Sequence, residues 1–387
     1  MEVITYCLVY VSVFLITVSV NYMSGNLVEE YCLPFVVWST IRIYKFMENY
    51  DFTGNALLEP EDTVLYGITC GICLLTRATN AMPLVGGAIV IILVSIRSKA
   101  FTNLLKNIMF FVIAMGIVVA PFCIYFLIKG STAEMFFAMI TYNKEYAALR
   151  RPWIIESNAR DIVRFFHLYF SVFSILLVAV VNWFNRQYAK FAFSFITFGI
   201  ELFFYMSNDL FVQYPMVCAT QVILLCYEIE KLYRNKILIG AKINVPIFIA
   251  ICTLLFSVGS FCKTAILDDF IAHIFVYGNY SYYCTEPWEE LVDMIPDKKE
   301  PFVTYGSNDL KPVYVLKDID PCYKYFSIQP WHSMYDASIA EEIRAQMLSN
   351  KAKWILCDEV GRDTILSLNT NYYIYAENGG FSLLECK

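Results

Sequence analysis

The sequence predicts a mostly α-helical fold: a polytopic membrane bundle of about nine spans over residues 1–264, followed by a small α/β domain on the outer side over residues 265–387. Three observations predict it. Hydrophobic residues make up 58% of the 387 positions and charged residues 17%, and the mean hydropathy is +0.53, far from the averages of a soluble domain. Apolar runs of spanning or nearly spanning length recur at about residues 3–23, 31–47, 63–76, 82–96, 108–128, 165–184, 191–207, 210–228 and 245–264. After residue 264 the runs stop, and strand-like and amphipathic helical stretches alternate.

In chain order, only Met1 and Glu2 precede the first run, with no basic segment and no small-residue cleavage site, so that run is expected to stay as a membrane helix. The third and fourth runs are short for a hydrocarbon core of ~30 Å at about 1.5 Å per residue, which predicts tilted, broken or re-entrant helices around Arg77 to Pro83. Orientation follows from the basic residues. Arg97, Lys99 and Lys106, then Arg186 and Lys190, then Lys231, Arg234, Lys236 and Lys242 share one side of an alternating nine-span chain, which makes that side and the N-terminus cytoplasmic. The loop holding Glu29 and Glu30, the stretch Ser207 to Asp209 and everything after residue 264 then face outward.

One outward loop departs from that charge rule, because residues 129–164 carry Lys129, Lys144, Arg150, Arg151, Arg160 and Arg164. These are either a solvated face, or a short interfacial helix, KEYAALRR, whose Lys144, Arg150 and Arg151 meet lipid phosphates through charge-assisted contacts. Phe136, Phe137, Tyr142, Tyr146 and Trp153 flank it, as rings at headgroup level do. Within the spans each ionisable residue is a functional candidate by its cost in hydrocarbon. Arg77 in LLTRATNAMP, beside Asn80, either snorkels to the interface or binds substrate. Glu201 has no evident partner in sequence, and His167 reads equally as packing. The net charge of −6 and the absence of basic blocks exclude a general case for nucleic acid.

Nine of the thirteen cysteines fall in or beside spans as packing residues, and Cys284, Cys322, Cys357 and Cys386 lie in the outer domain, where disulfides are allowed. No ligand cluster of strong metal-site spacing is present, and no phosphate-binding glycine loop. In the outer domain WEELVDMI reads as helix, PFVTYGS as strand and turn, and PVYVL and KYFSIQ as extended. ASIAEEIRAQMLSNKA reads as an amphipathic helix, KWILCDE as a buried strand, and NYYIYAENGGFSLLECK as a hairpin across Asn378, Gly379 and Gly380.

The succession GNLVEEYCLPF, GICLLTRATNAMP, ITYNKEYA, FVTYGS and WILCDE resembles the bacterial multi-spanning glycosyltransferases of the GT-C superfamily. The resemblance is to the family-39 group, related to protein O-mannosyltransferases and to the lipid A aminoarabinose transferase. It implies transfer of a sugar from a polyprenyl-phosphate donor, on the outer face of the cell membrane, to a glycan, lipid or protein acceptor. No organic cofactor is implied, and a divalent metal bridging the donor phosphate is allowed. In that family the catalytic carboxylate sits in the first outward loop. Here SGNLVEE resembles the second such loop, so the family's first two spans and its usual acid are missing. The resemblance thus predicts either an N-terminally truncated transferase or a chain inactive by itself.

Glu29 and Glu30 are the candidate catalytic carboxylates. They could act as general base, orient a cation such as Arg77, or hold a divalent ion; alternatively they only begin a helix whose dipole favours acids. Arg77, Asn80, Lys144, Arg150 and Arg151 are the candidate substrate-binding residues. Two other classes compete, a non-catalytic scaffold or accessory subunit and a lipid or solute transporter, although the internal repeat common in transporters is missing.

Overall fold

The computed structural model describes residues 28–144, 170–207, 214–234, 286–307, 310–325, 327–328 and 337–387. The chain divides into two units, Met1–Thr132 with Arg151–Gly278, and Ala133–Arg150 with Asn279–Lys387. The sequence reading placed a single boundary at residue 264, whereas the division assigns part of the basic loop to the C-terminal unit.

The first unit is helical: α1 (Val28–Thr53), α2 (Pro60–Thr76), α3 (Met82–Arg97), α4 (Phe101–Ile128), then, beyond the short α5 (Thr132–Phe136), α6 (Phe170–Phe184), α7 (Tyr188–Ser207) and α8 (Ala219–Arg234). Among the described residues, three helical stretches are long and apolar enough to cross a membrane: Ala78–Arg97, Phe101–Ile128 and Tyr188–Met206. The 28 residues of α4 reach about 42 Å at 1.5 Å per residue, more than an apolar core of ~30 Å requires. Its apolar side chains, Leu105, Ile117 and Ile128 among them, stay exposed, as suits a helix surrounded by lipid. Runs 3–23 and 245–264 lie outside the described residues, as do the starts of the sixth and eighth.

The break expected near Arg77 is present. Helix α2 ends where Arg77 turns extended, a 3₁₀ turn covers Ala78–Ala81, and α3 restarts with Pro83 in its first positions, where a missing N–H costs nothing. Close approach of α2 to α4 depends on Gly67 and Gly71, four residues apart on one face. A Cβ on Gly67 would meet the Phe111 carbonyl and, at 2.9 Å, Ala114; one on Gly71 would lie 2.9 Å from Val118. Small residues at this spacing let membrane helices pack backbone to backbone.

The second unit holds a five-stranded sheet in the order β2-β1-β3-β5-β4, formed by β1 (Phe302–Tyr305), β2 (Ser327–Ile328), β3 (Trp354–Asp358), β4 (Tyr372–Asn378) and β5 (Phe381–Cys386). Strands β2, β1 and β3 are parallel, while β5 and β4 run antiparallel. The period of two in β3 serves both faces: Trp354 and Leu356 join Trp288 of α9 (Pro287–Asp293), and Ile355 and Cys357 join Ile343 of α11 (Ala337–Leu348) and Ile365 of α12 (Glu359–Leu368). The hairpin turns on Gly379 and Gly380, both at positive φ.

Several expectations are corrected. PVYVL is not extended; Val313–Leu316 forms the one-turn helix α10, and the Tyr314 hydroxyl accepts the Thr304 N–H at 2.8 Å and so pins that turn to β1. In KYFSIQ, Ser327 and Ile328 form β2, Lys324 and Tyr325 lie outside any strand, and Phe326 and Gln329 lie outside the described residues. Helix α12 was not anticipated; Asp358 starts it by accepting the Gly361 N–H at 2.7 Å. Phe137 and Tyr142, expected at lipid headgroups, instead pack against the core beside Tyr323 and Ile339, following α5 (Thr132–Phe136) and a π-helical turn. Cys322, Cys357 and Cys386 are free thiols.

Replacing Gly67 or Gly71 with alanine is expected to wedge α2 from α4 and lower stability by about 1–3 kcal/mol, the range of overpacked cores. Thermal unfolding in detergent checks this; unchanged melting of both variants would refute the close packing.

Candidate functional site

Among the described residues, polar groups interrupt the apolar interior of the helical unit at several places, of which two clusters and one isolated acid bear on function. At the start of α1, Glu29 is buried in the first turn, where the helix dipole favours a carboxylate. Its carboxylate forms an ion pair with the guanidinium of Arg77, the extended residue between α2 and the 3₁₀ turn. The pair is asymmetric: the Arg77 side chain is 34% exposed and that of Glu29 only 2%. Arg77 also lies over the ring of Tyr214, 4.4 Å from its centroid. Cys32 and Thr76 meet at 3.1 Å beside this pair, and the buried Asn80 leaves its Nδ2 without a hydrogen-bond partner.

The local chain explains the arrangement. An unbroken helix through Arg77 would carry the side chain around the helix surface, whereas the extended residue and 3₁₀ turn keep it beside α1. A guanidinium has donors in a fixed fork, so one held by a carboxylate on one side and a ring on one face still presents donors to a further anion. The Glu29 carboxylate is thus engaged by Arg77. Glu30 is half-buried in the same turn. The structure thus brings together Glu29, Arg77 and the neighbourhood of Asn80. Lys144 is exposed and belongs to the other unit, and Arg150 and Arg151 lie outside the described residues. No group of three potential metal ligands occurs among the described residues.

The second cluster sits at the other end of α1, since Glu48 follows Glu29 by nineteen residues, about 28 Å along a helix. There Lys190 of α7 has no exposed side-chain surface, and its ammonium lies 2.5 Å from Glu228 Oε1 on α8 and 3.5 Å from Glu48 Oε1. Glu48 also pairs with Lys231. Tyr44 donates to Glu228 at 2.6 Å and accepts from Asn182 of α6 at 2.8 Å, while its ring lies 4.7 Å from the Lys190 ammonium. Asp51 accepts the N–H groups of Ala189 and Lys190 and so caps α7. The sequence reading took Lys190 and Lys231 as loop charges that orient the chain. A signal was available in Glu48, Asp51 and Glu228, opposite charges at the ends of neighbouring apolar runs. The isolated acid is Glu201, fully buried against Gln221.

Glu228→Gln is expected to leave Lys190 as a buried ammonium without its close partner and to cost about 3–5 kcal/mol. Lys190→Met combined with Glu228→Leu is expected to recover most of that loss. Unfolding in detergent measures both, and additive losses in the double variant would contradict the pairing.

Comparison with known proteins finds no matching family model, curated protein or solved structure.

Proposed function

We propose that the protein is a membrane-embedded glycosyltransferase, or a part of one, acting on a polyprenyl-phosphate-linked sugar with a glycan, lipid or protein as acceptor. The observation that carries this reading is the partly exposed guanidinium of Arg77, fixed by Glu29 and Tyr214 at a break in the helices. A phosphate-linked donor requires a cation that stays in place while the leaving phosphate gains charge, and a braced guanidinium meets that requirement. In this reading Glu29 positions Arg77, Glu30 activates the acceptor hydroxyl, and Asn80 offers its amide to the sugar or phosphate. The chain crosses the cell membrane nine times, with its N-terminus in the cytoplasm and its α/β unit outside.

One observation also favours the accessory-subunit reading: Glu29 is already paired, which suits binding of a lipid phosphate without catalysis.

Binding of a fluorescent polyprenyl phosphate to the protein in nanodiscs separates these possibilities. Arg77→Ala is expected to weaken it about tenfold or more, as losing a hydrogen bond to a charged group costs roughly 1.5–3 kcal/mol, and Arg77→Lys by less. Unchanged affinity in Arg77→Ala would remove the proposal. If binding depends on Arg77, turnover of a polyprenyl-phosphate sugar that falls 10²–10⁴-fold in Glu30→Gln indicates a transferase. Binding without turnover in the unaltered protein indicates the accessory role. For topology, labelling of single cysteines is expected to find Gly240 on the cytoplasmic side and Glu300 outside; both on one side would sink the nine-span arrangement.

A further inference from the structure

Glu201 lies within the membrane-crossing stretch Tyr188–Met206 and has no solvent exposure. Its carboxyl oxygens are 2.5 and 2.6 Å from Nε2 of Gln221 on α8, and the thiol of Cys218, just before α8, is its other partner. Cys218 meets the Tyr205 hydroxyl at 3.3 Å, and that hydroxyl donates to the Tyr214 carbonyl at 3.1 Å.

Among the described residues, the helices packed around α7 bring no counter-charge to it: on α1, Arg42 is joined to Asp62 and Glu59, and Lys45 is exposed. Helix α6 has no charged residue, and α3 has only Arg97, at its last position. On α1, Glu29 is joined to Arg77, and Glu48 to Lys190 and Lys231. On α8, Glu228 is joined to Lys190. Lys190 itself stands eleven residues from Glu201, about 16 Å along α7. Among the described residues, Glu201 is thus unlike the other buried acids of the bundle, Glu29, Asp62 and Glu228, each of which has a cation beside it. A carboxylate in hydrocarbon without a counter-charge takes up a proton in preference to remaining ionised. The partner fits that form. A side-chain amide carries both a donor and an acceptor, and Gln221 Oε1 is buried without a hydrogen-bond partner, so this amide can pair with a carboxylic acid.

We propose that Glu201 is a proton-binding site inside the bundle, carrying its proton at neutral pH as a carboxylic acid paired with Gln221. Its release passes the proton to water and leaves the carboxylate.

Infrared spectroscopy of the full chain in lipid tests this through the C=O stretching band of a protonated carboxylic acid. At pH ~7, where an unperturbed glutamate with a pKa of about 4.3 is ionised, the unaltered protein is expected to show one such band that Glu201→Gln lacks. Gln221→Met, which keeps the acid and removes its partner, is expected to shift that band. Glu201→Gln mimics the neutral acid in shape and charge, so its melting temperature should match that of the unaltered protein. Identical spectra of the two would show Glu201 ionised and overturn the proposal, and failure of Glu201→Gln to fold would do the same. Sodium-dependent melting that Glu201→Gln abolishes would overturn it in favour of a bound cation.

Discussion

The ion pair between Lys190 and Glu228, neither of which keeps any solvent exposure, is the contact on which the helical unit depends. A buried ammonium is tolerated only with a carboxylate close by, and a buried carboxylate needs further donors. Meeting both demands draws in Tyr44 from α1, Asn182 from α6, Lys190 from α7 and Glu228 from α8, so one polar cluster ties four helices. Apolar packing alone specifies such an arrangement weakly, because lipid tails compete equally well for leucine and phenylalanine. The cluster specifies which helices meet and at what height, and the Asp51 cap on α7 adds the rotation of that helix.

With one end of the bundle set in this way, the other is free to hold a reactive arrangement. Glu29 and Arg77 repeat the same principle with a difference, because here the cation is partly open to solvent. A buried carboxylate and an aromatic face hold a guanidinium whose remaining donors point to whatever anion arrives. The break in the chain at Arg77 supplies the position, and Pro83 ensures that the helix restarts only after the turn. Between the two ends, Glu201 is the exception that lacks a cation, which is why its protonation state follows from its surroundings.

The parts of this architecture legible in sequence were those set by local chemistry. The helix break at Arg77 follows from two short apolar runs and a proline, the hairpin from Asn378-Gly379-Gly380, and strand β3 from its unbroken apolar run. A role for the carboxylates in orienting Arg77 was one of several open to Glu29 and Glu30, since both flank the same end of their runs. The Lys190 cluster was hidden because a charge at the end of an apolar run reads the same whether it faces water or a partner distant in sequence. Phe137 and Tyr142 were misread for a related reason: rings near a span end suit lipid headgroups and a protein core alike, and the π-helical turn that aims them inward leaves no compositional mark. In the α/β unit, PVYVL has strand-forming residues, yet the Tyr314 hydroxyl bond to β1 and the turn at Pro312 outweigh that propensity.

The central claim is that Arg77, braced by Glu29 and Tyr214, receives a lipid-linked phosphate. Photocrosslinking with a polyprenyl phosphate that carries a reactive group beside its phosphate tests it most directly, with labelled peptides identified by mass spectrometry. Labelling is expected on Gly71–Pro83 and Val28–Phe35, competed away by unmodified polyprenyl phosphate. Competed labelling confined to other segments, with none on either of these, would contradict the account.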